Sequence, residues 1–151
     1  MNRIIRYTSL LSVVLFSLNL NAATSALILK NGFIREMPKK TRYTAAYFTL
    51  ENPGSRMKTL VHISTPIARE VQLHETISYQ NQVSMERKQA FHIPAHGQLK
   101  LDQSAKHIML LGLKGTVVAG NTVPLKLHFK DGSNQTITLP IHAAHTLTHD
   151  H

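Results

Sequence analysis

Residues 123–141 read VPLKLHFKDGSNQTITLPI, and the fold class is read from this stretch outward. Val123, Leu125, Leu127 and Phe129 alternate with Pro124, Lys126 and His128. That period of two turns one face of a strand inward and the other to water. Asp131-Gly132 is a hairpin signal, and Thr136 to Ile141 forms the returning strand. Just upstream, Lys106 to Leu113 (KHIMLLGL) is a strongly apolar strand, and Gly115 to Asn121 reads as a loop.

The same pattern holds back to the start of the domain. Leu27 to Ile34 surrounds an Asn31-Gly32 pair, which signals a turn or bulge. Residues 36–42 (EMPKKTR) are polar and contain Pro38, so they form a loop. Tyr43 to Leu50 is aromatic and β-branched, and Asn52-Pro53-Gly54 stops it with turn chemistry. Lys58 to Ser64 is expected to set Leu60, His62 and Ser64 against Val61 and Ile63, with His62 on the solvent side. Further strands are expected at Glu70 to Ile77, Val83 to Arg87, Gln89 to Ile93 and Gln98 to Leu101, with Pro94 to Gly97 as a turn. No amphipathic helix of three turns stands out. Roughly eight to ten short strands at about ten-residue spacing mean an all-β sandwich or barrel with Greek-key connections.

The first residues read differently. Arg3 and Arg6 precede an apolar run from Thr8 to Leu20, and Ala22 and Ala23 follow, the pattern of a signal peptide cleaved after Ala22. An apolar helix of that length reaches only about 20 Å, short of the roughly 30 Å hydrocarbon core. The expected organisation is therefore a signal peptide at 1–22, one domain at 23–141, and a His-rich tail at 142–151. Leader removal takes the formal charge from +9 to +7. An exported basic domain is not expected to meet nucleic acid. Its charge serves solubility or docking onto an acidic donor or acceptor of its ligand.

The chain has no cysteine. Disulfide staples, a lipid-bearing cysteine anchor and the thiolate of a blue-copper site are all excluded by that count. A structural zinc site loses its favoured ligand for the same reason. Only eight acidic residues are present, and no Ser-His-Asp or paired-carboxylate constellation stands out, so an enzyme is not expected.

Chemistry concentrates between His74 and Met109. His74, Met85, His107 and Met109 follow the spacing His-x10-Met-x21-His-x-Met. Two imidazoles and two thioethers form a soft, neutral donor set that suits Cu(I) better than other common biological metals. His107 and Met109 are two apart on an apolar strand, so their side chains share a face. Periodicity alone does not bring His74 and Met85 to that face. After the leader the chain holds only Met37, Met57, Met85 and Met109, and two of these four fall in the motif.

With this spacing the sequence resembles the periplasmic copper chaperones called PCu(A)C. The resemblance runs through GFIREMPKKTRYTAAYFTLEN (32–52), EVQLHE (70–75), SMER (84–87), FHIPAHGQLKL (91–101), KHIMLLGL (106–113) and VPLKLHFKDGS (123–133). It implies a single cupredoxin-like Greek-key β-sandwich, without the blue-copper cysteine. It also implies that His74, Met85, His107 and Met109 ligate Cu(I). The copper would be delivered to the Cu(A) centre of cytochrome c oxidase, directly or through a Sco-type thiol protein. Two departures are visible. Many members carry a methionine soon after the first His, where this chain has Glu75 and Thr76, and Phe33 stands where a tryptophan is usual.

The tail places His142, His145, His149 and His151 within ten residues. Imidazoles with Asp150 favour borderline ions, so this segment is a candidate secondary Cu(II) site. His92, His96 and His128 are expected to be ungrouped surface residues. The resulting expectation is a periplasmic, monomeric Cu(I) carrier without a permanent membrane anchor. The alternatives are a copper-sequestering tolerance protein and an interaction domain whose His and Met residues are structural.

Overall fold

The computed structural model describes residues 25–143, which form ten strands and, within that range, no helix. β1 (Ile28–Arg35), β2 (Tyr43–Glu51), β4 (Glu70–Tyr79), β5 (Gln82–Lys88) and β8 (Lys106–Leu111) make one layer in the order β5-β4-β8-β2-β1. β7 (Gln98–Leu101) continues beside the second half of β2, where β8 leaves it. The other layer is β10 (Asn134–His142), β9 (Thr122–Phe129), β3 (Lys58–Ser64) and β6 (Phe91–Ile93), in that order. A short parallel ladder, Ile34↔Ile141 and Arg35↔His142, joins the layers through β1 and β10. The fold is the expected all-β sandwich, with neighbours such as β4–β8, β1–β10 and β3–β9 that are distant in sequence.

Alternation builds the core. β9 buries Val123, Leu125, Leu127 and Phe129 and turns Pro124 and Lys126 outward. From the facing layer Phe48, Leu50, Ile108 and Leu110 meet them, all fully buried. β2 is covered on both faces over Thr44–Phe48. Its inner residues lie in the core, while Ala45 and Tyr47 lie beneath the side chains described below.

Two strands depart from simple alternation. In β1 the register with β2 shifts between Lys30 and Phe33, where Asn31 takes a left-handed φ of 47°. Of the turn or bulge the Asn31-Gly32 pair signals, it is therefore the bulge that forms. Gly32 is required there, because a Cβ would collide with Leu139 and stand 3.1 Å from Phe48 Cβ. In β3 the pairing to β9 shifts between Leu60 and His62. The expected alternation therefore fails: Leu60 and Ile63 both enter the core, and Val61 is turned out beside His62. The extra residue of a bulge resets which face follows.

The last strand also runs further than its apolar pattern. β10 extends through His142, whose ring stacks on Phe33 at 5.2 Å and 5°. His142 thus belongs to the sheet and not to the tail, whereas His145, His149 and His151 lie outside the described residues, as does the expected leader 1–22. No described helix is long and apolar enough to cross a membrane.

Candidate metal centre

The outer face of the first layer carries the site. On β8, Ile108 and Leu110 point into the core, so His107 and Met109 point away from it. Register does the rest. Leu73 pairs with Ile108, which places His74 directly opposite His107 across the β4–β8 ladder. Their ring centroids are 5.7 Å apart. Two further steps along β4, Thr76 pairs with Met85 on β5. On the other side of β8, Ala45 of β2 pairs with Met109. The small side chain of Ala45 leaves space where a larger one would fill it.

That space is a cavity of about 280 Å³, and Met85, His107 and Met109 all line it. His74 is not among its walls; it faces His107, which is. The two motif residues on β8 are thus joined by Met85 from the sheet edge and by His74 from the strand between. Motif residues up to 35 positions apart in sequence share one face of this layer because β8 is inserted between β4 and β2.

His107 is 5% exposed, and the contact of its Nδ1 with the Ala105 carbonyl is long, at 3.4 Å. His74 Nε2 lies 2.7 Å from Gln72 Oε1. Its Nδ1 is buried and has no hydrogen-bond partner. An orphaned buried nitrogen calls for an explanation, and an ion is one. Burial, then the neighbouring His107 and Arg87, hold the His74 imidazole below its ordinary pKa. That shift favours the neutral ring, the form that can ligate a metal.

The acids nearby are directed elsewhere. Glu75, adjacent to His74, is held by Lys88 at 3.2 Å and Lys106 at 3.3 Å. Glu70 binds Arg87 at 3.2 Å. Among the described residues, no three His, Cys, Asp or Glu side chains converge. A metal here would complete its shell from thioethers, so the donor set fits a soft ion such as Cu(I) and suits calcium, magnesium or zinc poorly.

Several residues of the site had no signal in the spacing. Arg35, Met37, Tyr43, Tyr47 and Gln103 also line the cavity. Burial pushes the Tyr47 hydroxyl above its usual pKa, partly opposed by the Arg35 guanidinium. Met37 comes from the loop 36–42, whose Lys39, Lys40 and Arg42 line a separate groove with Lys114. Elsewhere, His128 proves not to be ungrouped. It pairs with His62 on β3 at 5.3 Å between ring centroids, and its Nε2 lies 3.1 Å from Ser64 Oγ.

Comparison with known proteins follows the same lines. Residues 27–141 match the family described as "Putative lipoprotein LpqE-like". A protein of Leifsonia xyli subsp. xyli, itself named as a lipoprotein, is 37% identical over 99 residues. That match covers 65% of this chain and 60% of the relative's length. The copper-bound PCuAC domain from PmoF2 superimposes with a TM-score of 0.66 at 17% identity, covering 80% of this chain and 96% of that domain. The Cu(I) form of DR1885 from Deinococcus radiodurans gives 0.61 at 28% identity, over 81% and 82% of the two chains. Its apo form gives 0.62 at 26% identity, over 95% and 97%. Family match and fold agree: the chain belongs to the LpqE-like family and has the fold of the PCuAC domains.

Proposed function

We propose that this protein carries Cu(I), bound by His74, Met85, His107 and Met109, and hands it on for assembly of the Cu(A) centre of cytochrome c oxidase. Transfer is direct or runs through a Sco-type thiol protein. The observation that carries the reading is the in-register pair His74–His107, 5.7 Å apart, beside a cavity lined by Met85 and Met109. The copper-bound PmoF2 domain and the Cu(I) form of DR1885 support it by their names. Four neutral donors leave the bound ion its single charge, which is tolerable near a surface and unfavourable for permanent burial. Met85 is 65% exposed, so an incoming ligand can displace it. This is the chemistry of a carrier, not of a catalyst.

Export to the periplasm accords with the leader-like residues 1–22 and with the lipoprotein names of the relatives. The groove of Lys39, Lys40, Arg42 and Lys114 suits an acidic acceptor, so transfer should slow as ionic strength rises. His142, His145, His149 and His151 are proposed to capture Cu(II) or to raise the local copper concentration.

The test is an anaerobic Cu(I) competition titration of wild type, Met85→Ala, Met109→Ala and a chain lacking 143–151, which leaves His142 in β10. One tight Cu(I) per wild-type chain, weakened by about tenfold or more in both alanine variants, is expected. Unchanged Cu(I) binding in both variants would sink the four-ligand site. Unchanged Cu(II) stoichiometry on deletion of 143–151 would remove the role of the tail. Delivery is separated from storage by phenotype. Loss of a carrier impairs oxidase assembly at limiting copper, and loss of a store impairs growth in excess copper.

A further inference from the structure

We propose that Met37 is a third thioether donor of this site, an inference that rests on the copper reading above. Met37, Met57, Met85 and Met109 are the methionines among the described residues, and three of them line one cavity together with His107. The fourth, Met57, is 59% exposed and is not among the cavity walls. The three thioethers approach from different parts of the layer. Met109 stands on the central strand β8, Met85 on the edge strand β5, and Met37 on the loop joining β1 to β2.

The backbone around Met37 is held in place although it lies in a loop. Glu36 donates its N–H to the His142 carbonyl at 2.8 Å and accepts from the Ala119 N–H through Oε1 at 3.0 Å. Thr41 N–H closes a turn onto the Pro38 carbonyl at 2.8 Å. Met37 therefore starts from a fixed point beside the cavity, and its unbranched side chain can still sweep across it. Met37 is only partly buried, so its sulfur can reach the ion without rearrangement of the core.

A third thioether gives Cu(I) one soft donor more than the two imidazoles and two thioethers of the motif. Met37 can then hold the ion as the exposed Met85 yields to an acceptor's ligand. Only donors are exchanged, and the copper stays Cu(I). The loop thus has a part in release as well as in binding.

The experiment uses the full chain with carbon-13-labelled methionine methyl groups, assigned through single Met→Leu variants. One equivalent of Cu(I) is added without oxygen. The methyls of Met37, Met85 and Met109 should shift while that of Met57 stays in place. Met37→Leu keeps the volume but loses the sulfur, and should weaken Cu(I) binding about tenfold in probe competition, with Met57→Leu unchanged. A stationary Met37 methyl beside moving Met85 and Met109 overturns the inference and leaves the copper reading intact. A shift without loss of affinity means proximity only and also overturns it. If Met37→Leu fails to fold, Met37→Ala takes its place in the same probe competition. If wild type binds no Cu(I) and no methyl moves, the copper reading itself has failed.

Discussion

Asn52 sits at the end of β2, 1% exposed, with every polar atom of its side chain engaged. Nδ2 donates to the carbonyls of Arg56, Ile93 and Pro94 at 2.8, 3.2 and 3.0 Å, and Oδ1 accepts from the Gly54 N–H at 3.0 Å. The same residue's backbone N–H bonds the Gly97 carbonyl at 2.8 Å. One amide thus ties the β2–β3 turn to the β6–β7 turn. Asn52→Ala would leave the buried Ile93 carbonyl, and the part-buried carbonyls of Arg56 and Pro94, without this donor, and should cost about 2–3 kcal/mol. Chemical denaturation checks this as a lower midpoint at unchanged slope. Asn52-Pro53-Gly54 is legible in the sequence as a turn. That its side chain would also serve a turn 40 residues on is not, since the bonds depend on a tertiary approach. Met37 is hidden for a related reason: it lies outside the motif spacing, and only the docking of its loop brings it to the cavity.

The hairpin of β9 and β10 is the element most openly written in the sequence, and its partner cation is the part that is not. Lys58 opens β3, and its side chain is only 10% exposed. Its Nζ contacts Asp131 Oδ2 at 2.7 Å and Ser133 Oγ at 2.9 Å, and lies 5.3 Å from the centre of the Phe129 ring. Lys58, followed by the Ser133 hydroxyl and N–H, holds the Asp131 carboxyl well below the usual carboxylate range. A depressed folded pKa gives stability that is fully present above the unfolded value of about 3.9 and is lost as the pH falls toward the folded one. Asp131 is half exposed, so screening limits the pair. Asp131→Asn should cost about 1–2 kcal/mol at neutral pH, mainly by stranding the buried ammonium. The difference from wild type should shrink as the pH drops below about 4. A gap that stays constant down to pH 2 in thermal melts would mean the carboxylate charge is not what stabilises the hairpin. The β3 bulge in the same layer shows the limit of pattern reading. Leu60, Val61, His62 and Ile63 have no turn residue among them to announce the inserted position, so alternation predicts the wrong inward residue at Val61.

At the scale of the molecule, an all-β sandwich was readable from short strands and turn dipeptides, but the meeting of His74 with His107 was not. Their approach depends on β4 pairing with β8, a non-consecutive neighbour, in the one register that buries Leu73 and Ile108 together. A slip of one residue would turn His107 inward and abolish the site. The proposed copper site joins central β8 to β5, the edge strand of its layer, which holds the sheet by main-chain pairing to β4 alone. β5 is exposed along nearly its whole length, and such hairpins open at low free energy. An ion bound between Met85 and the β8 donors would link edge to centre, so opening would require its release. Free Cu(I) at a hundred times its dissociation constant should then stabilise the whole domain by about 2.7 kcal/mol. Amide hydrogen exchange provides the spatial reading. Protection should rise across β4 and β5, where local opening limits exchange in the metal-free protein and would now have to release the ion. If copper bound with high affinity but left exchange across Glu70–Lys88 unchanged, Met85 would not be holding the ion. The metal would then be gripped from β8 and the β1–β2 loop, or from outside the sandwich altogether.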